Sequence, residues 1–325
     1  MITRPGQSGR SRAAVHRSGP AGADQPAHGA TLSESGTRLP QDIDTSTPSI
    51  ARVYDVFLDG KDNFAVDREV HDRIVAIEPL ADTAAQANRL WLRRAVKWLA
   101  GTAGVDQFLD VGSGLPTADN THQIAQRANR EATVVYVDND PSVCAHGRAL
   151  LTDNERTSLV AADLTKPQEV LGHPDVTRVL DFSRPIALLH CGTLHHVSDE
   201  QQPRAIMQEY VRALPDGSYV GITHFFDPAD DPHTDEAERT RLSAKAREIQ
   251  RGFQTAMGTC FFRGHAEVSG FFPGLQMLPA GPDPAGSGLC ETTAWWPEGP
   301  VQGQRSDLRL LGGVGRKPGA EPGRV

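Results

Sequence analysis

An acid and two glycines follow an apolar segment in the heptapeptide 108–114, FLDVGSG. Glycine at positions 112 and 114 lets the backbone turn sharply and approach a ligand closely, and a following helix would offer its unpaired amide groups. Dinucleotide sites use G-x-G-x-x-G to seat a pyrophosphate, but Thr117 stands at the third glycine position. Asp110 would repel a pyrophosphate and would suit a ligand with an ammonium group. A plain Gly-rich connection is the alternative.

Two further carboxylates end the next two apolar segments. Asp138 ends VVYVD, where it could accept hydrogen bonds from a ribose diol. Asp163 follows SLVAA, where it could accept from an adenine amine. Taken singly, each acid is as easily structural, since Asp138 or Asp140 could cap a helix that starts at Pro141. Three acids at the ends of three successive strands, behind a GxG turn, together predict a nucleoside pocket.

Histidines cluster after the fourth apolar segment, in residues 189–197, LHCGTLHHV. Histidine titrates near neutrality, so His195 or His196 could act as a general base. The alternative is that both only pack and hydrogen-bond at the turn after a strand. A zinc site built from these histidines and Cys191 is disfavoured, because the spacing matches no standard zinc pattern. We therefore expect no metal.

Three helices precede the first strand. Apolar residues recur at helical spacing from Ile50 to Leu58 and stop at Gly60. Asp67 can cap a second helix, and Asp82 can open a third.

The rest of the chain alternates apolar strands with helices. The predicted strands span 107–111, 133–137, 158–161, 185–190, 218–225, 275–278 and 308–314. Helices are predicted at about 118–129, 199–214 and 265–272, with a long polar helix that ends near residue 258. Continuous apolar runs, each followed by a helix, indicate an α/β, doubly wound, mostly parallel sheet of seven strands, with its ligand site at the carboxyl ends of the strands.

Composition sets the domain organisation and excludes several classes of protein. The predicted parts are a disordered tail (1–45), one domain (46–318) that comprises a helical cap (46–104) and an α/β core (105–318) with a helical insertion at about 227–258, and a disordered tail (319–325). The net charge of −8 argues against a protein that coats nucleic acid or an anionic membrane. Four cysteines without a CxxC pair exclude a zinc ribbon and disfavour a disulfide framework. With no long apolar run, we expect a cytoplasmic protein without a membrane span.

The order of these motifs resembles class I S-adenosylmethionine-dependent methyltransferases. The segments LHHVSD (194–199) and RALPDGSY (212–219) match the regions before and after the helix that follows strand four. More narrowly, the chain resembles the "S-adenosyl methyltransferase" family, once described as a domain of unknown function. Over about 46–318, the matching segments are IARVYD (50–55), GKDNF (60–64), FLDVGSGLPT (108–117), VYVDNDP (135–141) and GGVGRKP (312–318).

The resemblance implies a Rossmann-like methyltransferase core under an N-terminal helical cap, with S-adenosyl-L-methionine as cofactor. By motif, Asp110, Gly112 and Gly114 would hold the methionine portion, Asp138 the ribose and Asp163 the adenine. The implied cofactor contacts also include Ser113, Asn139, Leu164, Asn63 and Tyr54. Of the last two, Asn63 is the better candidate, because Tyr54 lies on a helix and is equally suited to the core.

The catalytic residues and the acceptor are less well defined. The chain departs from its relatives after strand four, where it carries Cys191 and the pair His195 and His196, so a shared catalytic residue is in doubt. The acidic start of the insertion could serve a cationic substrate, or the helix could simply be solvated. We expect a small-molecule acceptor rather than a nucleic acid, and a homodimer is left open. The alternatives are a cofactor-binding protein without turnover and, less favoured, a nicotinamide oxidoreductase.

Overall fold

The computed structural model describes residues 43–117, 119–150, 155–231, 234–281, 288–296 and 306–319. The two predicted tails, 1–45 and 319–325, lie almost entirely outside these described residues. Among the described residues, no helix is long and apolar enough to cross a membrane.

The described residues form helices and strands in alternation. The helices are α1 (Ile50–Phe57), α2 (Ala65–Ile77), α3 (Ala81–Gly101), α4 (Thr121–Ala128), α5 (Pro141–Leu150), α6 (Pro167–Leu171), α7 (Pro174–Val179), α8 (Pro203–Ala213), α9 (Glu236–Met257) and α10 (His265–Ser269). The strands are β1 (Gln107–Val111), β2 (Thr133–Asp138), β3 (Thr157–Ala161), β4 (Ala187–Cys191), β5 (Tyr219–Phe225), β6 (Gln276–Met277), β7 (Leu289–Glu291) and β8 (Leu310–Arg316).

One sheet carries the fold, in the order β3-β2-β1-β4-β5-β8-β6, with β7 also paired to β8. Strands β1 to β5 pair in parallel, whereas β8 pairs antiparallel with its neighbours. The predicted α/β, mostly parallel sheet is confirmed. The predicted number of seven strands is wrong for the described residues, which form eight. Strand β7 has only three residues in a Gly- and Pro-rich region, too few to show a period in the sequence.

The strand order reverses between β1 and β4, and the crevice at such a reversal is where this type of sheet binds ligands. Alternating side chains of the strands feed two separate cores, one on each face. For example, Leu109 and Val111 belong to one apolar cluster, while Phe108 belongs to the other. Burial on both faces explains why these strands read as continuous apolar runs.

The first two helices are joined by a buried ion pair. Arg52 Nε donates to Asp67 Oδ2 at 2.8 Å, and both side chains are almost fully buried. The prediction that Asp67 caps α2 is wrong in detail, because Phe64 is the N-cap residue. Asp67 lies in the first turn and accepts from the backbone N–H of Phe64 at 2.8 Å. The carboxylate of Asp67 therefore accepts hydrogen bonds both from the buried Arg52 and from the backbone at the start of α2.

Proline marks the start of three helices that differ from prediction or were not predicted. Helix α8 begins at Pro203 rather than at 199, since Asp199–Gln201 forms a separate 3-10 turn and a proline favours the first position of a helix. Helices α6 and α7, both unpredicted, also begin at a proline and are five and six residues long.

Candidate functional site

A cavity of about 420 Å³ lies at the carboxyl ends of the parallel strands, within the range of roughly 300–1,000 Å³ typical of small-molecule sites. Two groups of lining residues differ in chemistry. The polar end is lined by Asp110, Gly112, Ser113, Gly114, Asp138, Asn139, Asp140, Pro141 and Leu164. The apolar end is lined by Val53, Phe57, Ala81, Ala85, Phe225, Phe253, Met257, Leu308 and Leu310. Between them the lining includes Tyr54, Asn88, Arg89, Cys191, Gly192, Thr193, His195 and His196.

Asp110 is the penultimate residue of β1, lies at the polar end and is 5% exposed. Its Oδ2 accepts from the hydroxyl of Thr121, the first residue of α4, at 2.6 Å. Burial raises the pKa of Asp110 to about 6, because a charged carboxylate is poorly solvated there. A cation bound beside it would favour the charged form and offset that cost.

The two glycines of the turn are required for different reasons. Both have a positive φ, +72° at Gly112 and +68° at Gly114. A Cβ at Gly112 would lie 2.4 Å from Cγ2 of Thr193, so a side chain there would clash with the loop after β4. A Cβ at Gly114 would have no atom within 4 Å, so this glycine keeps space open. Ser113 lies between them on the cavity wall.

Asp138 holds the neighbouring turn together. Its Oδ2 accepts from the N–H of Gly114 and its Oδ1 from the N–H of Asp140, both at 2.9 Å. Burial raises its pKa. Asp140 accepts from the N–H of Ser142 at 2.7 Å at the start of α5, so it is Asp140 that caps this helix. Asn139, between the two acids, lines the cavity.

Two predicted cofactor residues lie off the cavity lining. Oδ1 of Asp163 accepts from the N–H and the hydroxyl of Thr165, at 2.9 and 2.8 Å, and Leu164 lines the cavity instead. Asn63 donates to Asp55 Oδ2 at 3.0 Å and to the carbonyl of Gly60 at 3.1 Å. These contacts fold the polar loop back onto α1.

Tyr54 lines the cavity and Asn63 does not, so the geometry favours Tyr54 as a cavity contact, whereas the sequence favoured Asn63. Polarity made Asn63 look like the ligand contact, but its amide is used by its own loop. The hydroxyl of Tyr54 donates to the carbonyl of Ala85 at 3.3 Å.

Both predicted catalytic histidines line the cavity. The His195 ring stacks on Phe225 with centroids 4.1 Å apart, and its Nδ1 accepts from the N–H of Phe225 at 3.3 Å. Burial lowers the pKa of His195 well below its usual value and that of His196 to about 4. Nδ1 of His196 is buried with no hydrogen-bond partner. Imidazoles of such low proton affinity are neutral at pH 7 and are better suited to orienting a donor than to removing its proton.

A buried arginine fixes the turn that carries these histidines. Arg263, from the segment after α9, donates to the carbonyl of Leu194 at 3.2 Å and to that of Val197 at 2.8 Å. The N–H of Phe261 also donates to the carbonyl of His195, at 2.6 Å. The histidine turn is thus held by a segment about 65 residues further along the chain.

Sequence reasoning missed Asn88 and Arg89, which α3 contributes to the lining. Arg89 donates to the hydroxyl of Thr117 and to the carbonyl of Asp119, and its charge lowers the pKa of Asp110. Asn88 is only 3% exposed. What the sequence does show is a polar residue, Asn88, among the positions that form the buried face of α3.

No group of three or more potential metal ligands occurs within the part of the chain that the structure describes. The residues around His195 and Cys191 thus offer hydrogen-bonding groups rather than a ligand cluster.

A doubly wound sheet with an acid-and-glycine turn at its switch point is the architecture of enzymes that bind nucleoside cofactors. The family model described as S-adenosyl methyltransferase matches residues 36–318, and the chain belongs to that family. A crystal structure from Thermobifida fusca YX, assigned to the methyltransferases, is 38% identical with a TM-score of 0.75 and covers 86% of this chain and 98% of its own. A DUF574 family protein from Streptomyces avermitilis MA-4680 is 34% identical, also with a TM-score of 0.75, covering 85% and 99%. A search of curated proteins finds no match.

The chain is therefore an S-adenosylmethionine-dependent methyltransferase, as the motifs predicted, with S-adenosyl-L-methionine as its cofactor. The residues of the polar end fit this cofactor. Gly114 leaves open the space that a Cβ would fill. The wall carries the buried carboxylate of Asp110, the half-buried carboxylates of Asp138 and Asp140, and the guanidinium of Arg89. An amino acid joined to a nucleoside carries an ammonium, a carboxylate and a ribose diol, which are the groups these side chains complement.

Proposed function

We propose that the polar end holds S-adenosylmethionine and that the apolar end receives a small-molecule acceptor. The observation that carries this proposal is that one cavity is lined both by the turns at the strand ends and by an apolar wall. A cavity of this size suits a small molecule better than a nucleic acid, for which a basic surface would be needed.

Opposite charges would orient the amino-acid portion. Asp110, beside the Gly112 turn, would pair with the ammonium group, and Arg89 would pair with the carboxylate. The two side chains already interact electrostatically, since the charge of Arg89 lowers the pKa of Asp110. Because both are fixed by the fold, the ligand would be oriented with little loss of side-chain freedom.

Asp138 would accept from the ribose hydroxyls, and Leu164 would pack on the adenine. Asp138 already spans the two turns through Gly114 and Asp140, so its carboxylate is held in place before ligand binds. Ser113, Asn139 and Tyr54 would complete the wall around the cofactor.

S-adenosylmethionine bound at the polar end would supply an electrophilic methyl group to a lone pair of the acceptor. The protein's task is to align the acceptor and to exclude water. His195 and His196, neutral at pH 7, would orient the acceptor rather than act as strong bases.

Calorimetry with S-adenosylhomocysteine tests this assignment. Asp138→Ala should weaken binding by about tenfold or more, as loss of a buried charge-assisted hydrogen bond predicts. Asp163→Ala is the matched control, because it removes an acid at the end of the adjacent strand but off the cavity, and it should change affinity by no more than about twofold. Equal losses in both variants would support the adenine role predicted for Asp163 and contradict the proposed assignment.

We also propose a cytoplasmic location for this enzyme, with a homodimer as its candidate oligomeric state.

A further inference from the structure

The apolar end is a continuous hydrophobic surface assembled from distant parts of the chain. Val53 and Phe57 of α1, Phe253 of α9, and Leu308 and Leu310 at β8 belong to one buried cluster. The ring of Phe225 packs near-parallel to that of Phe253, with centroids 5.9 Å apart. Any group placed here would exchange water for hydrocarbon contacts.

Ionised side chains are confined to the other part of the lining. Among the described residues, its carboxylates are Asp110, Asp138 and Asp140, and its one guanidinium is Arg89. None of the residues of the apolar end is ionisable. A charged substituent entering this end would lose its hydration without gaining a partner, which disfavours charged acceptors.

One polar atom stands unpaired beside this apolar surface. Asn88 Nδ2 donates to the hydroxyl of Tyr54 at 2.9 Å, and that hydroxyl donates in turn to the carbonyl of Ala85. This chain of bonds fixes the orientation of the amide, because a flipped amide would compete for the same hydroxyl proton. Oδ1 of Asn88 is consequently left buried without a partner, although its residue lines the cavity.

Asn88 lies where the polar and apolar ends meet. A Cβ at Gly192, in the loop after β4, would lie 3.3 Å from Asn88 Nδ2 and 3.6 Å from Cε1 of His195. His195 in turn stacks on Phe225 of the apolar end. An acceptor seated on the apolar surface would therefore bring its most deeply placed polar group to this junction.

We infer that the methyl acceptor is an uncharged, largely apolar molecule whose reacting group is a hydrogen-bond donor, a hydroxyl or an N–H, that Asn88 Oδ1 accepts. The inference rests on the proposed function, since it places the acceptor at the apolar end. The lone pair of the oxygen or nitrogen would form the bond to the methyl carbon as the methyl–sulfur bond breaks with its electron pair kept by sulfur, and the proton would be lost to bulk solvent as the product leaves the cavity. Asn88 acts as a positioning residue that directs this lone pair.

Binding to the full-length enzyme saturated with S-adenosylhomocysteine tests the inference without turnover. The probes share one ring system: 1-naphthol is neutral with a donor, 1-methoxynaphthalene is neutral without one, 1-naphthoate is an anion and 1-naphthylmethylammonium is a cation. Calorimetry should give 1-naphthol an affinity about tenfold higher than either charged probe and about threefold or more higher than the methoxy compound.

Asn88→Leu keeps the approximate volume but removes the acceptor atom. It should abolish the preference for 1-naphthol over 1-methoxynaphthalene while leaving affinity for S-adenosylhomocysteine within about twofold. A merely structural role would weaken both neutral probes equally.

Met257 offers a test by gain of function, since this half-buried residue ends α9 at the apolar end. Met257→Glu should raise affinity for 1-naphthylmethylammonium by about fivefold, whereas Met257→Gln should not.

Two results would overturn the inference: failure of both neutral probes to bind wild type, or a charged probe that binds as tightly as 1-naphthol. A loss of S-adenosylhomocysteine affinity in Asn88→Leu with the probe preference intact would assign Asn88 to the cofactor instead. If Asp138→Ala leaves S-adenosylhomocysteine affinity unchanged, the cofactor assignment fails separately.

Discussion

The two ends of the cavity are built in different ways. The polar end consists of turns that directly follow β1 and β2, so its acids and glycines are set by short stretches of sequence. The apolar end collects single residues from α1, α3, α9, β5 and β8. The polar end should tolerate little substitution at any position, because its function depends both on backbone geometry and on buried charge. The apolar end should tolerate substitutions that preserve volume, since nonpolar packing is adaptable.

Gly112→Ala should give the largest effect and disrupt the polar end. The substitution places a side chain at φ +72° and within 2.4 Å of Thr193. Backbone strain and overpacking together should lower the free energy of unfolding by about 2–5 kcal/mol, and S-adenosylhomocysteine binding should fall below detection. Urea denaturation and calorimetry measure the two effects.

Gly114→Ala is the matched control for this position. It has a similar φ of +68° but no atom within 4 Å of the added Cβ. Its stability should fall by only about 1–2 kcal/mol, while cofactor affinity should still fall, because the methyl group occupies the open space. Equal destabilisation in the two variants would show that contact with Thr193 is unimportant.

Asp110→Asn should raise the stability of the protein at pH 7 while it weakens cofactor binding at the polar end. Burial raises the pKa of Asp110 to about 6, whereas an aspartate in an unfolded chain titrates near 4. Between these values the folded protein binds a proton that the unfolded chain does not, so the contribution of Asp110 to stability grows as the pH falls from 6 to 4. The ionised group is therefore destabilising at pH 7.

The asparagine variant should be more stable than wild type by about 2 kcal/mol at pH 7, and this advantage should vanish below about pH 4. Its affinity for S-adenosylhomocysteine should nevertheless fall by about tenfold or more, because the ammonium group loses its counter-charge. Urea titrations across pH 4–7 and calorimetry at pH 7 provide the measurements. Stability curves of the two proteins that run parallel across this range would contradict the assigned pKa shift.

The same contrast explains what could be predicted from the sequence. The sheet, Asp110, Gly112, Gly114 and Asp138 were predictable because a strand, its turn and its terminal acid are neighbours in the chain. Arg89 was not, because it reaches the cavity only through the way α3 lies on the sheet, which no local pattern specifies.

Other errors have equally specific physical causes. The hydrogen-bonding capacity of Asn63 is visible in the sequence, but its use by Asp55 and Gly60 is a property of the folded loop. The phenol of Tyr54 looked like a core residue because its helix is amphipathic, yet the buried face of α1 also faces the cavity. In both cases the partner, rather than the residue type, decides the role.

Phe253→Leu should give the smallest loss of stability, and it tests whether the apolar end tolerates substitution. The ring is buried and packs between Phe57 and Phe225, with centroid distances of 6.2 and 5.9 Å. Replacing it with a smaller apolar side chain should cost about 1 kcal/mol of unfolding free energy. Affinity for 1-naphthol should fall by about fivefold, while affinity for S-adenosylhomocysteine should stay within about twofold of wild type.

Phe272→Leu supplies the matched comparison for that variant, because Phe272 is equally buried but belongs to the other apolar cluster and does not line the cavity. It should lose similar stability and leave both affinities unchanged. A parallel loss of naphthol and S-adenosylhomocysteine binding in Phe253→Leu alone would mean that the two ends respond as one unit. Independent responses would instead mean that the acceptor surface can change by substitution while the turns after β1 and β2 stay fixed, since none of the residues of the apolar end lies in those turns.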